Sequence, residues 1–505
     1  MAMRRREFLA LAGLAASAVA VAGCGAAGGG SSPEGSLRAA FGQPVTDLDP
    51  YNAGTAVDEA SLIVKRLVFD TLVRRDGERL VPGLATSWKR EGDTTWAFEL
   101  RPGVRFHDGG ALTARDVVAC LKRTQAVKSA QSSLWAAVKS ARADGDHRVV
   151  FETDGPMATL PVNLTLLFIV PERLVADPAQ KRRPVGSGPF RVTGFTPSAG
   201  VELARFDGYW NGPPALPGVS MPYIAETSGA ITALRNGDID LLWPVPPDQL
   251  PEARGTGVDV RTVPSWTYYL AWFNCKRAPF TDPRVRRAMW HALDLEEIVG
   301  KLYGAGAERM RAPIPSTVFG FAEQPPYAHD PGAARRALRE AGLGGGFTTS
   351  MMWFDATGPL ARELAQSMIS AWAEVGVRVR PQSVEKAQWL ARLNSLDWDI
   401  ELQTNTVTTG DAAFTLGRLY TSKADRMGYR NAELDRVLAA AGQEADAARR
   451  EELYARACEI IWADAVGVFP AALTTAYGVR RDLTGFVPAA SNQPDLAAVG
   501  RGRTP

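Results

Sequence analysis

The sequence predicts an α/β protein that is built from more than one domain. It has 505 residues, of which 46% are apolar, whereas a single hydrophobic core stops growing at about 250 to 300 residues. Strand-like residues at 348–354, an amphipathic helical run at 359–374 and a second strand-like run at 377–379 indicate a β-α-β unit with a parallel strand pair. No repeat or coiled-coil heptad appears along the chain.

The first residues of the chain have the organisation of an export signal. Arg4–Arg6 precede a mostly Ala, Leu and Val run at 9–22, which is too short to span a bilayer comfortably. Residues 1–23 are therefore predicted to be a signal peptide and not part of the fold. The Arg5–Arg6 pair fits a twin-arginine signal, but ordinary secretory signals also contain such pairs, so both export routes stay open.

The end of the signal looks like a lipobox. It reads Val21-Ala22-Gly23-Cys24, which would make a diacylated Cys24 the first residue of the mature protein. Two acyl chains give stable membrane anchoring, whereas one chain is marginal. Residues 24–36, mostly Gly, Ala and Ser, are predicted to be a flexible tether. The sequence thus predicts an extracytoplasmic protein that is anchored to the outer face of the cytoplasmic membrane through Cys24.

Charge and cysteine content exclude some classes of protein. The chain has 57 basic and 55 acidic side chains, and a net charge near zero argues against nucleic-acid binding. Besides Cys24 there are three widely separated cysteines, Cys120, Cys275 and Cys458, which imply no disulfide framework. One pair among them and three buried thiols are both possible.

No motif of a hydrolase or a metalloenzyme is present. The sequence contains no Gly-x-Ser-x-Gly, His-Glu-x-x-His or Gly-x-x-x-x-Gly-Lys. Of its four histidines, His107 falls in a turn and His291 on the polar side of a helix, which favours structural roles. We therefore expect neither an enzyme nor a metal or cofactor site.

A dense series of structural signals lies between Pro82 and Val117. Trp96, Phe98 and Leu100 alternate as in a half-buried strand, and the dipeptides at 102–103 and 108–109 are turn formers. Thr113 or Asp116 can cap a following helix. These signals predict a hairpin that leads into a helix.

The order of these signals resembles the signature of the extracytoplasmic solute-binding proteins of peptide-type ABC importers, the dipeptide- and oligopeptide-binding family 5. Further segments resemble the same family in the same order: 184–190, 206–210, 231–240, 273–288 and 429–435. In one of these segments Asp282 caps a helix that begins at Pro283. The helix has one apolar face, formed by Val285, Ala288, Met289, Ala292 and Leu293.

The resemblance implies a two-lobed periplasmic-binding-protein-like clamp of the large three-subdomain type, with a hinge between its lobes. The core of lobe I would comprise 37–68, 181–270 and 473–505, its accessory subdomain 69–180, and lobe II 271–472. Such a protein is expected to be a monomer that closes on a small solute and delivers it to a membrane permease. It would need no cofactor.

Candidate ligand-binding residues follow from the α/β architecture and from the resemblance. Ligands of open α/β sheets collect beyond the carboxyl ends of strands. We expect a loop at 355–358 to follow a strand that ends at Phe354, and Thr404, Asn405 and Thr406 to form a loop after a strand at 399–403. The predicted ligand-binding set is Ala53, Gly54, Thr55, Trp266, Tyr268, Trp353, Asp355, Trp389, Thr404, Asn405, Thr406 and Asp411.

The chain departs from the pattern of dipeptide binders at the two charged positions. Val407 or Thr408 occupies the place of the aspartate that holds a ligand's amino terminus, and residues 355–357 occupy that of the arginine that holds its carboxylate. Burying a zwitterion without partners costs several kcal/mol, so a tight dipeptide specialist is disfavoured. Asp411 or Asp355 could replace the missing charge. Longer peptides and oligosaccharides stay open as ligands, as do a ligand sensor and a lipid-anchored hydrolase as other classes.

Overall fold

The computed structural model describes residues 33–56, 58–77, 79–354 and 359–502. The predicted signal peptide, Cys24 and Asp355 lie outside the described residues. In the part of the chain that is described, none of the helices combines the length and the apolar character that crossing a membrane requires.

The first half of the chain alternates short strands and helices. Its elements are β1 (Leu37–Phe41), α1 (Glu59–Val68), β2 (Val73–Asp76), β3 (Arg79–Pro82), β4 (Ala85–Arg90), β5 (Thr95–Leu100), α2 (Ala114–Ala126), α3 (Ser132–Trp135), β6 (Val138–Ala143), β7 (Arg148–Thr153), α4 (Leu160–Asn163), β8 (Phe190–Thr196), β9 (Gly200–Arg205), β10 (Gly218–Pro222), α5 (Thr227–Asn236), β11 (Leu241–Trp243), α6 (Leu250–Ala253) and β12 (Val258–Phe273).

The second half contains the longer helices. Its elements are α7 (Pro283–His291), α8 (Leu295–Tyr303), β13 (Ala307–Arg309), α9 (Pro331–Glu340), β14 (Phe347–Phe354), α10 (Pro359–Glu374), β15 (Val377–Val384), α11 (Lys386–Ser395), β16 (Ile400–Thr406), α12 (Ala412–Tyr420), α13 (Ala432–Gln443), α14 (Ala447–Ala463), β17 (Gly467–Val468), β18 (Ala471–Arg480), β19 (Leu483–Thr484) and β20 (Gly500–Arg501). Short 3₁₀ helices, such as Ala53–Thr55 and Leu496–Ala498, complete the set.

The main sheet runs through the whole molecule in the order β15-β14-β16-β12-β18-β11-β1-β10-β9-β8. Two buried cores lie along it. The first core draws on residues from Leu37 to Trp243 and from Tyr477 to Val499, and the second on residues from Trp266 to Ala472. We call the parts of the chain that pack around them the first lobe and the second lobe.

The long strand β12 connects the lobes. Its first half pairs with β18 and its second half with β16, and its register shifts between Pro264 and Tyr268. Val258 packs in a small cluster on the outer face of the first lobe's sheet, whereas Tyr268 and the residues that follow pack in the second core. A strand shared in this way is a suitable pivot between the lobes.

The predicted hairpin and β-α-β unit are confirmed. Strands β4 and β5 pair antiparallel within the sheet β4-β5-β7-β6, and the carboxylate of Asp116 accepts a hydrogen bond from the backbone N–H of Thr113 (2.7 Å) at the start of α2. Strands β14 and β15 are parallel on either side of α10. Strand β15 is longer than predicted, because it continues to Val384 beside β14.

The predicted helix at Pro283 is also confirmed. The carboxylate of Asp282 accepts a hydrogen bond from the backbone N–H of Arg284 (2.8 Å) at the start of α7. All five residues of its predicted apolar face are buried in the second core.

Asp70 is the centre of a buried polar cluster in the first lobe. Its carboxylate accepts hydrogen bonds from Ser187 Oγ (2.9 Å), Tyr209 OH (3.1 Å) and Trp210 Nε1 (3.0 Å). Burial raises the pKa of this carboxyl to about 6. A Cβ on Gly186 would lie 2.0 Å from the carbonyl oxygen of Val68, so only glycine allows the turn to approach α1. The segments at 184–190 and 206–210 therefore have a structural role.

The cysteines of the described chain form no disulfide. Cys120 and Cys458 are buried and Cys275 is half-buried, all as free thiols. Burial raises the pKa of each thiol, to about 12 for the first two and about 11 for Cys275, which makes them poor nucleophiles.

Candidate functional site

The prediction that Thr404, Asn405 and Thr406 form a loop is wrong. Strand β16 continues to Thr406, because β12 offers a partner to each residue: Thr404 pairs with Tyr269, Asn405 with Tyr268 and Thr406 with Thr267. Their polar side chains are half-buried. The sequence suggested a loop because all three residues are polar. Their partner strand β12 is distant in the chain, so the local sequence does not reveal the pairing.

This end of β16 has an open edge. Strand β14 pairs only with the first two residues of β16, and among the described residues no strand pairs with the other edge of Leu402–Thr406. The N–H of Val407 donates to the carbonyl of Trp266 (3.0 Å), so the odd-numbered residues face β12. Successive residues of a strand direct their backbone N–H and C=O groups to opposite edges. The backbone groups of Thr404 and Thr406 therefore face the open edge.

The two lobes meet beside this edge. Thr406 Oγ1 donates a hydrogen bond to Glu59 Oε1 (2.8 Å), at the start of α1 in the first lobe. Asn492 Nδ2 donates to the same oxygen (3.4 Å), and the hydroxyls of Thr267 and Thr406 are 2.8 Å apart. Burial raises the pKa of the Glu59 carboxyl, although its hydrogen bonds act in the opposite direction.

Two further contacts join the lobes. Phe414, on α12 of the second lobe, packs in the first core, and the N–H of Ala158 donates to the carbonyl of Gly442 (3.0 Å). The structure is therefore a closed arrangement of the lobes.

Trp266 and Tyr268 lie on β12, which pairs with the opposite edge of β16, and they are almost fully buried, with 6% and 0% of their surfaces exposed. The Trp266 ring packs against Gly410, where an added Cβ would lie 2.5 Å from the ring, and the guanidinium of Arg75 lies 5.5 Å from the ring centroid. Asn405 Nδ2 donates to Tyr268 OH (3.3 Å). These aromatic residues form the floor beneath Asn405.

A second aromatic group lies at the end of β14. Trp353 is buried, and the rings of Phe354 and Trp389 are 5.3 Å apart. Trp389 Nε1 donates to Glu401 Oε1 (2.9 Å), and burial raises the pKa of that carboxyl to about 8. Asp355, which follows Phe354 directly, lies outside the described residues.

Arg418 is a basic residue of this region that the sequence did not indicate. It projects from α12, and its Nη2 donates to Asn405 Oδ1 (2.6 Å). Its guanidinium lies 5.3 Å from the centroid of the Phe414 ring, and its Nε is buried without a hydrogen-bond partner. Burial lowers the pKa of Arg418 to about 10, and nearby Arg426 adds to this effect.

Arg66 is a second basic residue of this region and belongs to the first lobe. Its Nε donates to Gln493 Oε1 (2.5 Å), and Gln493 directly follows the Asn492 that contacts Glu59. Burial lowers the pKa of Arg66 to about 10, and neighbouring Arg75 contributes. No signal in the sequence indicated Glu59, Arg66 or Arg418. The partners of Glu59 and Arg66 lie 347 and 427 residues away, and Asn405, 13 residues before Arg418, was expected to lie in a loop.

Two other predicted residues already have intramolecular partners. The carbonyl and hydroxyl of Thr55 accept hydrogen bonds from the buried Lys65 Nζ (3.0 and 3.3 Å), while Ala53 and Gly54 are exposed. The carboxylate of Asp411 accepts from the N–H of Ala413 (2.9 Å) and from Arg450 Nη2 (3.0 Å).

The arrangement contains binding groups but no catalytic constellation. Within the described ranges, no three His, Cys, Asp or Glu side chains are grouped so that they could hold a metal ion. His107 is half-buried and its ring nitrogens contact Gly186 N and Gly188 O (3.3 and 3.0 Å); removal of the ring from solvent lowers its pKa to about 4. The open edge, the two arginines and the aromatic floor are suited to hold a small solute between the lobes.

Comparisons with known proteins agree with this arrangement. The family model of bacterial extracellular solute-binding proteins, family 5 Middle, matches residues 79–426. A glutathione-binding protein of Pectobacterium atrosepticum is 26% identical over 479 residues, which cover 88% of this chain and 90% of that protein. A dipeptide-binding protein of Escherichia coli is 24% identical over 480 residues, which cover 86% and 89%.

Solved structures share the fold. A periplasmic binding protein of Helicobacter pylori in complex with the peptide STSA has a TM-score of 0.82 and 24% identity, with 92% of this chain and 98% of that one covered. An oligopeptide-binding protein of Bacillus subtilis in complex with a nonapeptide has a TM-score of 0.80 and 20% identity, with 93% and 100% covered. These likenesses confirm the predicted periplasmic-binding-protein fold.

Proposed function

Because the chain belongs to family 5 of the bacterial extracellular solute-binding proteins, we propose that it captures a peptide between its lobes and delivers it to the permease of an ABC importer. The family consists of solute-binding components of such importers, so the chain is an extracytoplasmic binding protein and not an enzyme. Its ligand, its anchoring and its delivery to a permease are the proposed steps.

The open edge of β16 carries the proposal for a peptide ligand. An extended peptide can add to a free strand edge, where main-chain hydrogen bonds give affinity and alternate side chains enter pockets. Thr404 and Thr406 offer backbone groups to such a ligand, and the edge lies between the lobes. An oligosaccharide has no backbone that would match this spacing.

In this proposal the remaining site residues surround the peptide's side chains. Trp266, Tyr268, Trp353 and Trp389 supply aromatic surface, and Asn405 and Asp355 supply polar contacts. Ala53 and Gly54 approach from the first lobe, while Thr55 supports their turn through Lys65 and Asp411 supports α12 through Arg450. Aromatic faces give large and rigid contact area for varied side chains.

Closure of the lobes follows from differential binding. To shift the lobes from 1:99 to 99:1 in favour of the closed state, a ligand must prefer that state by about 5.5 kcal/mol. Only contacts from both lobes supply such a preference. Glu59 and Thr406 already join the lobes in the closed arrangement, and we propose that the peptide adds the larger share. The closed form is then presented to the permease.

A proline at the open edge tests the peptide proposal. Thr404→Pro removes an N–H that faces away from β12, so the sheet should keep its ladder and its melting temperature. The expected result is at least a tenfold loss of affinity for peptides that native mass spectrometry recovers from the purified protein. Gln403→Pro is the control, because it removes an N–H that faces β12 and should destabilise the fold. Unchanged binding by a folded Thr404→Pro variant, or recovery of sugars alone, would contradict peptide capture along this edge.

Anchoring through Cys24 is proposed from the lipobox alone. A diacylated cysteine would hold the otherwise monomeric protein on the outer face of the cytoplasmic membrane. Cys24→Ser should move the protein from the membrane fraction to the soluble extracytoplasmic fraction, with ligand binding intact. Membrane retention of this variant would rule out the lipid anchor.

A further inference from the structure

Two arginines, one from each lobe, border the open edge without an acidic partner. Arg418 contacts Asn405, which precedes the Thr406 that binds Glu59; Arg66 contacts Gln493, the residue after the Asn492 that binds the same Glu59. Arg418 therefore lies one residue along β16 from the contact between Thr406 and Glu59, and Arg66 lies on the same helix as Glu59. Neither forms an ion pair with any described carboxylate.

The acidic side chains of this region do not balance these charges. Burial raises the pKa of Glu59 and also that of Glu401, to about 8 for Glu401. Asp411 is ionically paired with Arg450, whose side chain is 15% exposed. None of these three carboxyl groups forms an ion pair with Arg66 or Arg418, so both arginines can accept an acidic ligand.

Leaving a guanidinium buried without a counter-charge is costly. The Nε of Arg418 has neither solvent contact nor a hydrogen-bond partner, although its Nη2 is bound. A planar carboxylate is the group that best fits the donors of a guanidinium, since two parallel N–H···O bonds can form. Ligand binding would thus remove an electrostatic cost that the empty closed form carries.

We propose that the cleft selects solutes with a net negative charge, namely peptides that carry a side-chain carboxylate besides the terminal one. Arg418 holds one carboxylate, and Arg66 holds the second from the opposite lobe. This inference rests on the proposed function and gives it a ligand class. A neutral zwitterionic dipeptide has one carboxylate and therefore satisfies only one of the two arginines.

Matched peptide mixtures test the inference in the intact mature protein. One mixture holds di-, tri- and tetrapeptides with Glu or Asp, and the other holds the same peptides with Gln or Asn in place of the acid, so that they differ in charge alone. Calorimetric titration should show the acidic peptides binding about 10- to 100-fold more tightly. This comparison needs no variant, and therefore no change in folding can disturb it.

Arg418→Met then assigns the charge recognition to one residue. Met keeps the apolar stem over Phe414 but removes the donors, so the ratio of affinities for acidic and amide peptides should fall to about one. Arg66→Met should lower the same ratio. Arg378, exposed on β15, provides the matched control: Arg378→Met should keep the wild-type ratio.

The outcomes separate this inference from the function on which it rests. If amide peptides bind as tightly as acidic ones, charge selection is overturned and peptide capture stands. If acidic peptides are preferred but Arg418→Met keeps that preference with an unchanged melting temperature, the assignment to Arg418 is overturned. If neither mixture binds and no peptide is recovered from the protein, the proposed function fails and the inference fails with it.

Discussion

At the scale of single residues, Asp70 shows how burial and hydrogen bonding act against each other. Three donors, from Ser187, Tyr209 and Trp210, favour its ionised form, yet burial prevails and raises the pKa of the carboxyl to about 6. All three partners come from sequence segments that resemble conserved features of the family. Their role is to fix the first lobe around one carboxyl group rather than to contact the ligand.

Asp70 should make the stability of the protein depend on pH. Its folded pKa lies above the ordinary value of 3.8, so between about pH 4 and pH 6 the folded protein holds a proton that the unfolded chain has released. The free energy of unfolding should therefore fall as the pH rises through this window. Asp70→Asn removes the titration, and the variant should gain roughly 1 to 3 kcal/mol relative to wild type between pH 4 and pH 7. Urea denaturation at a series of pH values measures this difference.

Asp70→Ala distinguishes titration from the loss of an acceptor. Relative to Asp70→Asn, it leaves three buried donors unpaired and should cost about 2 to 5 kcal/mol at every pH. Parallel pH profiles for wild type and Asp70→Asn would mean that the carboxyl does not titrate in this range.

At the scale of elements, the sequence predicted the helices whose signals lie within one segment of the chain. The helices at Pro283 and Pro359 were predictable because a periodic apolar face, and for the first a cap, lie within one segment. The last three residues of β16 could not be predicted as a strand, because the sequence Thr-Asn-Thr is typical of a loop. They form a strand because they pair with β12. Strand pairing between distant segments overrides the local preference of polar residues.

The site was predictable only in part for the same reason. Thr404, Asn405 and Trp266 were predicted from strand ends and from the family's order, and the structure brings them together. Arg418 and Arg66 belong to helices whose sequence says nothing of Asn405 or Gln493. Arg66 and Gln493 are 427 residues apart in the chain, and Asn405, 13 residues before Arg418, was expected to lie in a loop, so neither contact could be predicted from the local sequence.

Helices α12 and α14 are joined by the ion pair of Asp411 and Arg450, which defines a test of Asp411. Asp411→Asn keeps a capping acceptor at the start of α12 but leaves Arg450 largely buried without its counter-charge. The expected cost is about 3 kcal/mol of unfolding free energy. Affinity of the folded variant for peptides should stay within about threefold of wild type, because in the proposed site Asp411 contacts α12 and Arg450 rather than the ligand.

Urea denaturation and calorimetry together decide the role of Asp411. The double variant Asp411→Asn, Arg450→Met should recover part of the lost stability, since it removes the unpaired charge. A variant of Asp411 with normal stability and lost binding would instead make its carboxylate a partner of the ligand.

At the scale of the whole molecule, β12 and the contacts beside it link ligand capture to lobe closure. The strand belongs to both lobes, and its register shift between Pro264 and Tyr268 lies next to the open edge of β16. In the proposed function, a ligand on that edge would sit close to the pivot and touch both lobes at once. A rotation about β12 that opens the lobes would break the contact between Thr406 and Glu59.

Glu59 should couple closure to pH. In the closed arrangement its carboxyl is buried and its pKa is raised, whereas opening would separate it from Thr406 and return it toward water. Closing then favours uptake of a proton, so wild-type affinity should rise as the pH falls toward the ordinary pKa range of a glutamate. Glu59→Gln keeps the acceptor for Thr406 without titrating. Calorimetry from pH 5 to pH 8 should therefore show the wild type gaining about two- to fivefold in affinity relative to this variant at the acidic end.

Two further variants make this prediction specific. Glu59→Ala leaves Thr406 without its acceptor in the closed form alone, so relative to Glu59→Gln the affinity should fall about three- to tenfold at every pH. Asp58→Asn changes the neighbouring carboxylate, which caps α1 through the N–H of Ser61 (2.9 Å), and should keep most of the wild-type pH dependence. If wild type and Glu59→Gln followed one pH profile, the carboxyl would be equally protonated in the open and closed forms, and the hydrogen bond between the lobes would contribute to closure without sensing pH.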